Sequence, residues 1–335
     1  MFSWLILSLL TQAPQSRAAF SSRSDLVVLR VSVVDRKAGF VSGLPREAFA
    51  VQEDGRPQPI QFFENEDTPV TVGLVIDCSG SMQRRRDGVI AAGMAFADSS
   101  HPADELFTLN FNEKVWPGLP GSQLFTSDRA ELRRALDRTT ARGQTALFDA
   151  IAIGLHRLDQ GHRTRRVLVV VSDGGDNASR TSFAQVLDTA LRNDVVIYTI
   201  GIYEPGDNEA KPGLLRQLAD ATGGEAFFPH ADGDVTPLLE RIARDIRSGY
   251  TVGYVPPAGE DGPRPRRVRV EVHSPDGRKL AVRARSSYLG SRQERGDGIE
   301  PAPRCARAPC RRDDAPGDRP GVGRLVCDGA HVRGP

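Results

Sequence analysis

Asp77-Cys78-Ser79-Gly80-Ser81 follows directly on the apolar run Thr71-Val72-Gly73-Leu74-Val75-Ile76 and precedes a stretch with helical patterning. A strand that ends in Asp-x-Ser-x-Ser places one carboxylate and two hydroxyls on a single loop at the C-terminal edge of a sheet. All three are hard oxygen donors, which suit Mg²⁺, Mn²⁺ or Ca²⁺ rather than zinc. A lone carboxylate leaves a divalent cation under-neutralised and open to an outside anion.

Two distant segments complete the pattern. Gly143-Gln144-Thr145-Ala146-Leu147 opens a helical stretch, where Gly143 allows a close approach and Thr145 offers a third hydroxyl. Arg166-Val167-Leu168-Val169-Val170-Val171-Ser172 is short, apolar and β-branched, and it runs into Asp173-Gly174-Gly175-Asp176. A strand of that composition is buried on both faces and delivers Asp173 to the same sheet edge as Asp77. Ligands of open α/β sheets gather at that edge. Asp149, Asp176 and Asn177 lie nearby in sequence and fit either support around the site or solvated turns; the turn reading is favoured, and they are set aside as site residues.

Asp77-x-Ser79-x-Ser81, Thr145 and Asp173, in that order, resemble the metal-ion-dependent adhesion site of von Willebrand factor type A domains. The resemblance implies a Rossmann-like, doubly wound, mainly parallel α/β sheet. It also implies a divalent ion, Mg²⁺ or else Mn²⁺ or Ca²⁺, held by Ser79, Ser81 and Thr145 with Asp77 and Asp173 in support. The implied partner is a protein presenting an Asp or Glu carboxylate to the open metal position. Residues from about 25 to 289, including Val33-Val34-Asp35, Phe49 to Gly55 and Tyr250-Thr251-Val252-Gly253-Tyr254, further resemble a family of exported bacterial proteins known chiefly from Acidobacteria. No biochemical role carries over from that family.

Outward from this centre, region 70–248 alternates strands (72–77, 105–111, 114–116, 166–172, 195–201, 225–228) with helices (84–99, 128–138, 145–159, 181–192, 212–222, 234–248). Leu147, Ile151, Gly154, Leu155 and Leu158 repeat at helical spacing and predict a core-facing stripe. The flanks read as β: Asp25 to Asp35, then 48–53 and 60–63 as a strand pair around Asp54-Gly55-Arg56-Pro57, and later Tyr250 to Val255, Arg266 to Val272 and Leu280 to Arg285. The N-terminal strands alone are too few for a core. The expectation is one small β-sandwich built from 24–69 and 249–289, with the α/β domain inserted between its halves.

Composition adds bounds. The chain has 335 residues, 39% hydrophobic, and a formal net charge of +1, which gives no general pull toward nucleic acid or membrane. Arg supplies 40 of the 44 basic residues, as expected of a GC-biased coding sequence. Arg84-Arg85-Arg86 follows the metal loop, where it is either a solvated helix face or a steering charge for an acidic ligand. Residues 1–19 resemble a secretory signal, with the apolar run Phe2 to Leu10 and small residues near Ala18-Ala19, although no Lys or Arg precedes the run. That run is too short to span a bilayer, so the chain is expected to be exported, periplasmic or extracellular, without a membrane span. Segment 290–335 is rich in Gly, Pro, Arg and Asp and is expected to be a disordered tail. Its Cys305, Cys310 and Cys327 carry no functional argument, and Cys78 reads as a small buried residue.

Three functions are compatible with these residues. A metal-dependent protein-binding module of the adhesion type is the favoured one. A scaffold whose metal only stiffens the loops is the alternative. A metal-assisted hydrolase is the least favoured, because no convincing general base is offered: His101 and His230 fall on loops and His156 on a helix, where surface or packing roles are the default, and no Walker loop, Gly-x-Ser-x-Gly elbow or His-Glu-x-x-His pair occurs. The expectation is a non-enzyme.

Overall fold

The computed structural model describes residues 26–35, 39–65, 67–137, 142–203, 210–230, 234–256 and 265–289. All of them lie in the compact unit that ends at Gln293, so the expected signal segment and tail fall outside the described residues. The N-terminal strands are β1 (Val27–Asp35), β2 (Gly39–Phe40), β3 (Phe49–Glu53), β4 (Arg56–Gln58) and β5 (Phe62–Glu64). Next come β6 (Val70–Asp77), α1 (Arg86–Asp98), β7 (Glu105–Phe111), β8 (Val115–Pro117), α2 (Arg129–Asp137), α3 (Leu147–Leu158), β9 (Arg165–Ser172), α4 (Phe183–Arg192), β10 (Val195–Gly201), α5 (Pro212–Thr222), β11 (Ala226–Phe227) and α6 (Thr236–Ser248). The described residues close with β12 (Tyr250–Tyr254), β13 (Pro265–Val272), β14 (Leu280–Arg283) and β15 (Ser287–Leu289).

The central sheet has the order β11-β10-β9-β6-β7-β8, parallel throughout except for the edge strand β8. The chain winds from β6 outward through β7 and β8, then crosses back to β9 and winds the other way. Its direction therefore reverses between β6 and β9, and an open α/β sheet leaves a crevice at such a point. Apolar residues along β6 and β9 serve both faces. Val70, Val72, Leu74 and Ile76 join α1 and α6 in one core cluster, while Val75 joins α3, α4 and α5 in the other. The expected stripe of α3 is buried throughout. Gly73 is required by packing, since a Cβ there would lie 2.3 Å from the ring of Phe107.

Strands from both flanks share the remaining sheets. β1 pairs antiparallel with β12, and β12 in turn with β5, while β14 pairs with the second half of β1. β13 pairs with β3 and β15. Leu29, Val31, Val51, Tyr250, Val252 and Val268 fill the core between these sheets. Inside it, Glu53 accepts bonds from Tyr254 (2.6 Å), Tyr288 (2.7 Å) and Arg266 (2.6 Å). Burial alone would raise the Glu53 carboxyl, but these donors outweigh it and hold the carboxyl below the ordinary glutamate value.

Two expectations are corrected. Segments 48–53 and 60–63 do not pair with each other: β3 turns through Asp54 and Gly55, both at positive φ, and pairs with β4, whereas β5 crosses to β12. An Asp-Gly turn of this kind fixes only the adjacent two-residue hairpin, so Phe62 and Phe63 were free to join the other sheet. The helix expected over 84–99 is also divided. Gly80–Arg85 is a 3₁₀ helix, in which Met82 is the buried residue, and the α-helix starts only at Arg86.

Candidate functional site

Asp77 ends β6 and Asp173 follows β9, so the point where the winding reverses puts two carboxylates side by side. Asp77 is buried. Its Oδ1 accepts the Ser79 amide (2.8 Å) and its Oδ2 the Ser172 hydroxyl (2.6 Å). Asp173, also buried, accepts the Gly175 amide on Oδ1 (2.9 Å) and the Ser81 hydroxyl on Oδ2 (2.6 Å). A hydroxyl donates only once. With the Ser81 proton given to Asp173, Ser81 Oγ lies 3.1 Å from the Ser79 hydroxyl. A chain Ser79 to Ser81 to Asp173 thus joins the loops after β6 and β9.

Thr145 enters through its backbone. Arg142 donates its amide to Cys78 O (2.8 Å), and Gly80 donates to Gly143 O (3.2 Å), so the loop ahead of α3 lies against the Asp77 loop. From the β7–β8 turn, Asn112 O accepts the Ala146 amide (2.7 Å), Asn112 Nδ2 donates to Arg142 O (3.0 Å), and Glu113 Oε2 accepts the Gln144 amide (3.2 Å). Gly143 has a φ of 86°, a left-handed conformation that favours glycine, and a Cβ there would displace the Glu113 carboxylate.

Burial dominates the electrostatics of this edge. Burial raises the Asp77 carboxyl to about 6, against the lowering effect of its bonds from Ser172 and Ser79, and the nearby Asp173 raises it further. Among the described residues no Lys or Arg forms an ion pair with Asp77 or Asp173. Cys78 is buried, its thiol pushed up to about 12 by burial and by Asp77, which makes it inert. Also among the described residues, no three His, Cys, Asp or Glu side chains gather as a metal-holding group, so a cation here would rest on hydroxyls. The hydroxyl spacing fits. Oxygens in neighbouring corners of an octahedron with bonds of about 2.1 Å lie roughly 3.0 Å apart, close to the 3.1 Å between Ser79 Oγ and Ser81 Oγ.

The model of the von Willebrand factor type A domain matches residues 72–242. The chain belongs to that family. None of the curated proteins matches it. Among solved structures, a von Willebrand factor type A protein from Catenulispora acidiphila is 16% identical, covering 80% of this chain and 75% of that one, at a TM-score of 0.48. An aerotolerance-related membrane protein from Bacteroides fragilis is 15% identical, covering 53% of this chain and 98% of that one, at 0.45. The von Willebrand domain of a type V pili tip protein from Porphyromonas gingivalis is 14% identical, covering 54% and 95%, at 0.43. Type A domains commonly act as protein-interaction modules.

This type A domain also uses residues that sequence reasoning set aside. Ala146 sits at the N-cap of α3 and makes no side-chain cap, so the first turn of the helix is satisfied from a distance. The Phe148 amide donates to Asp176 Oδ1 (3.4 Å) and the Asp149 amide to Ser179 Oγ (3.0 Å), while Ser179 itself donates to Asp176 (2.6 Å). Asp149 in return accepts the amides of Arg180 and Thr181. Burial opposes ionisation of Asp149, but the bonds from Thr181 and Arg180 prevail and hold its carboxyl below the ordinary aspartate value. Asn177 pairs with Thr145 twice: its Oδ1 accepts the Thr145 amide (2.9 Å) and its amide donates to Thr145 O (3.0 Å), beside the Ala178 amide (3.1 Å). The sequence signal was the missing cap at Ala146, which obliges some other segment to supply acceptors.

Proposed function

We propose that the chain is a metal-dependent protein-binding module rather than an enzyme. Ser79, Ser81 and Thr145 would hold a hard divalent cation, Mg²⁺ or Mn²⁺, with Asp77 and Asp173 supporting it. The bound ion would supply an unfilled coordination position for an Asp or Glu carboxylate of a partner protein. The observation that carries this reading is the pair of buried carboxylates, without an ion-pair partner among the described residues, tied to the loop whose Ser79 and Ser81 hydroxyls lie 3.1 Å apart. A general base beside an attacking water would be needed for hydrolysis, and Cys78 is unsuited as a nucleophile. Export, as the 1–19 segment suggests, would place the module in the envelope or outside the cell. Among the described residues no helix is long and apolar enough to cross a membrane.

Calorimetric titration of Mn²⁺ into the full chain and into Ser79→Ala/Ser81→Ala tests the reading, followed by titration of an Asp-containing and an Asn-containing peptide into the loaded protein. Uptake in the wild type alone, with preference for the acidic peptide, is expected. Equal uptake by both proteins would refute it, and uptake without peptide preference would leave the loop-stiffening scaffold.

A further inference from the structure

The loop after β9 does two things at once. It carries Asp173, and through Asp176 to Thr181 it is fastened to the residues that open α3. We propose that Asn177 is a positioning residue: by accepting the Thr145 amide and donating to the Thr145 carbonyl it fixes where the Thr145 hydroxyl stands relative to Asp173. The inference rests on the metal reading above.

Thr145 occupies a five-residue stretch, Arg142 to Ala146, whose other peptide groups are held from the opposite side by Cys78, Gly80, Asn112 and Glu113. On the β9 side, all three bonds to the Thr145 backbone come from Asn177 and Ala178. Only one of them depends on a side chain, Asn177 Oδ1. That atom therefore sets a single peptide plane, the one that orients Thr145. Asp176 and Ser179 lie further along and reach Phe148 and Asp149, inside the helix; they secure α3 and leave the Thr145 peptide untouched. A group that orients a metal-binding residue is worth about 10–100-fold in metal affinity. Asn177 is exposed, so its replacement leaves the core clusters intact.

Three full-chain variants separate orientation from general stability. Asn177→Leu keeps the shape and loses the acceptor, Asn177→Asp keeps the acceptor, and Ser179→Ala loosens the α3 cap alone. Mn²⁺ affinity, read by calorimetry, is expected to fall about 10-fold in Asn177→Leu, to return in Asn177→Asp, and to stay at the wild-type value in Ser179→Ala. In the metal-free protein the Thr145 amide should exchange with solvent faster in Asn177→Leu than in the wild type. Unchanged Mn²⁺ affinity in Asn177→Leu, no recovery in Asn177→Asp, or an equal loss in Ser179→Ala would overturn the assignment while leaving the metal site standing. A wild-type protein that takes up no Mn²⁺ would overturn both.

Discussion

The two edges of the central sheet treat carboxylates in opposite ways. At the N-terminal edge, Asp104 is 1% exposed and accepts the Val70 amide (2.8 Å), the His101 amide (2.9 Å) and the Arg247 guanidinium (2.9 Å). Arg247 also reaches Asp67, and just ahead of β10 and β11 Asp194 pairs with Arg285 and Glu225 with Arg283. Cations even outnumber their needs there. Burial lowers the Arg165 guanidinium to about 10, helped by Arg30 and Arg247, and it settles by donating to Ile246 O. At the C-terminal edge the hydrogen bonds that the two buried carboxylates accept from the described residues come from hydroxyls and amides. One edge is neutralised within the chain and holds the β-sheets of the flanks; at the other, the proposed cation would supply the missing positive charge.

The largest test of this contrast is Asp104→Ala. It removes the acceptor of two amides and one of the two carboxylates that hold Arg247, and urea denaturation should show a loss of about 3–5 kcal/mol. Asp77→Asn should do the reverse in metal-free protein. A carboxyl raised from 3.8 to about 6 binds its proton more tightly in the folded state, so its effect on stability is neutral below the unfolded value and becomes a penalty as pH rises through that window. At pH 7 the variant should therefore gain up to about 3 kcal/mol, and the metal-free wild type should melt lower at pH 7 than at pH 5. A variant less stable than the wild type at pH 7 would mean that Asp77 is already compensated. Next in size, Mg²⁺ at a hundred times its Kd should stabilise the wild type by about 2.7 kcal/mol. Ser79→Ala/Ser81→Ala should abolish that gain, and a rise in Tm that persists in it would move the ion elsewhere. Smallest is Ser179→Ala, which removes a distant cap from α3 and should cost about 1 kcal/mol, with no change in the Mg²⁺ increment.

Much of this was legible because it is local. The apolar runs of β6 and β9 specify buried parallel strands by composition, and a strand that ends in Asp leaves that Asp at the sheet edge. Of the five oxygen-bearing residues singled out by their order, four, Asp77, Ser79, Ser81 and Asp173, meet through direct hydrogen bonds or a shared loop. What escaped was long-range. Asn177 and Thr145 are 32 positions apart, and nothing in either loop's composition distinguishes an acceptor for a distant amide from a solvated turn. The crossing of β5 escaped for the same reason: Phe62 and Phe63 look like the return strand of a hairpin until Val252 and Gly253, far along the chain, offer a better edge. The 3₁₀ start of the helix after Ser79 reflects the same competition, since Met82 is drawn into the core before the chain can settle into α geometry.

The pairing of β1 with β12 sets Val27 opposite Tyr254 and Val31 opposite Tyr250. In between lies the whole of the type A domain, so the loop that this pairing closes spans more than half the chain. Closing it around an unstructured segment would be slow. Once the α/β sheet has formed, however, α6 hands the chain to β12 across the single residue Gly249, beside Arg165 at the start of β9. An α/β sheet formed first would thereby shorten the search between the two flanks, as a jig holds parts for joining. Synthesis delivers β1 long before β12 and β14, so the early strand waits with unpaired edges for its later partners, and pulse-labelled amide exchange during refolding should protect β6 and β9 before β1.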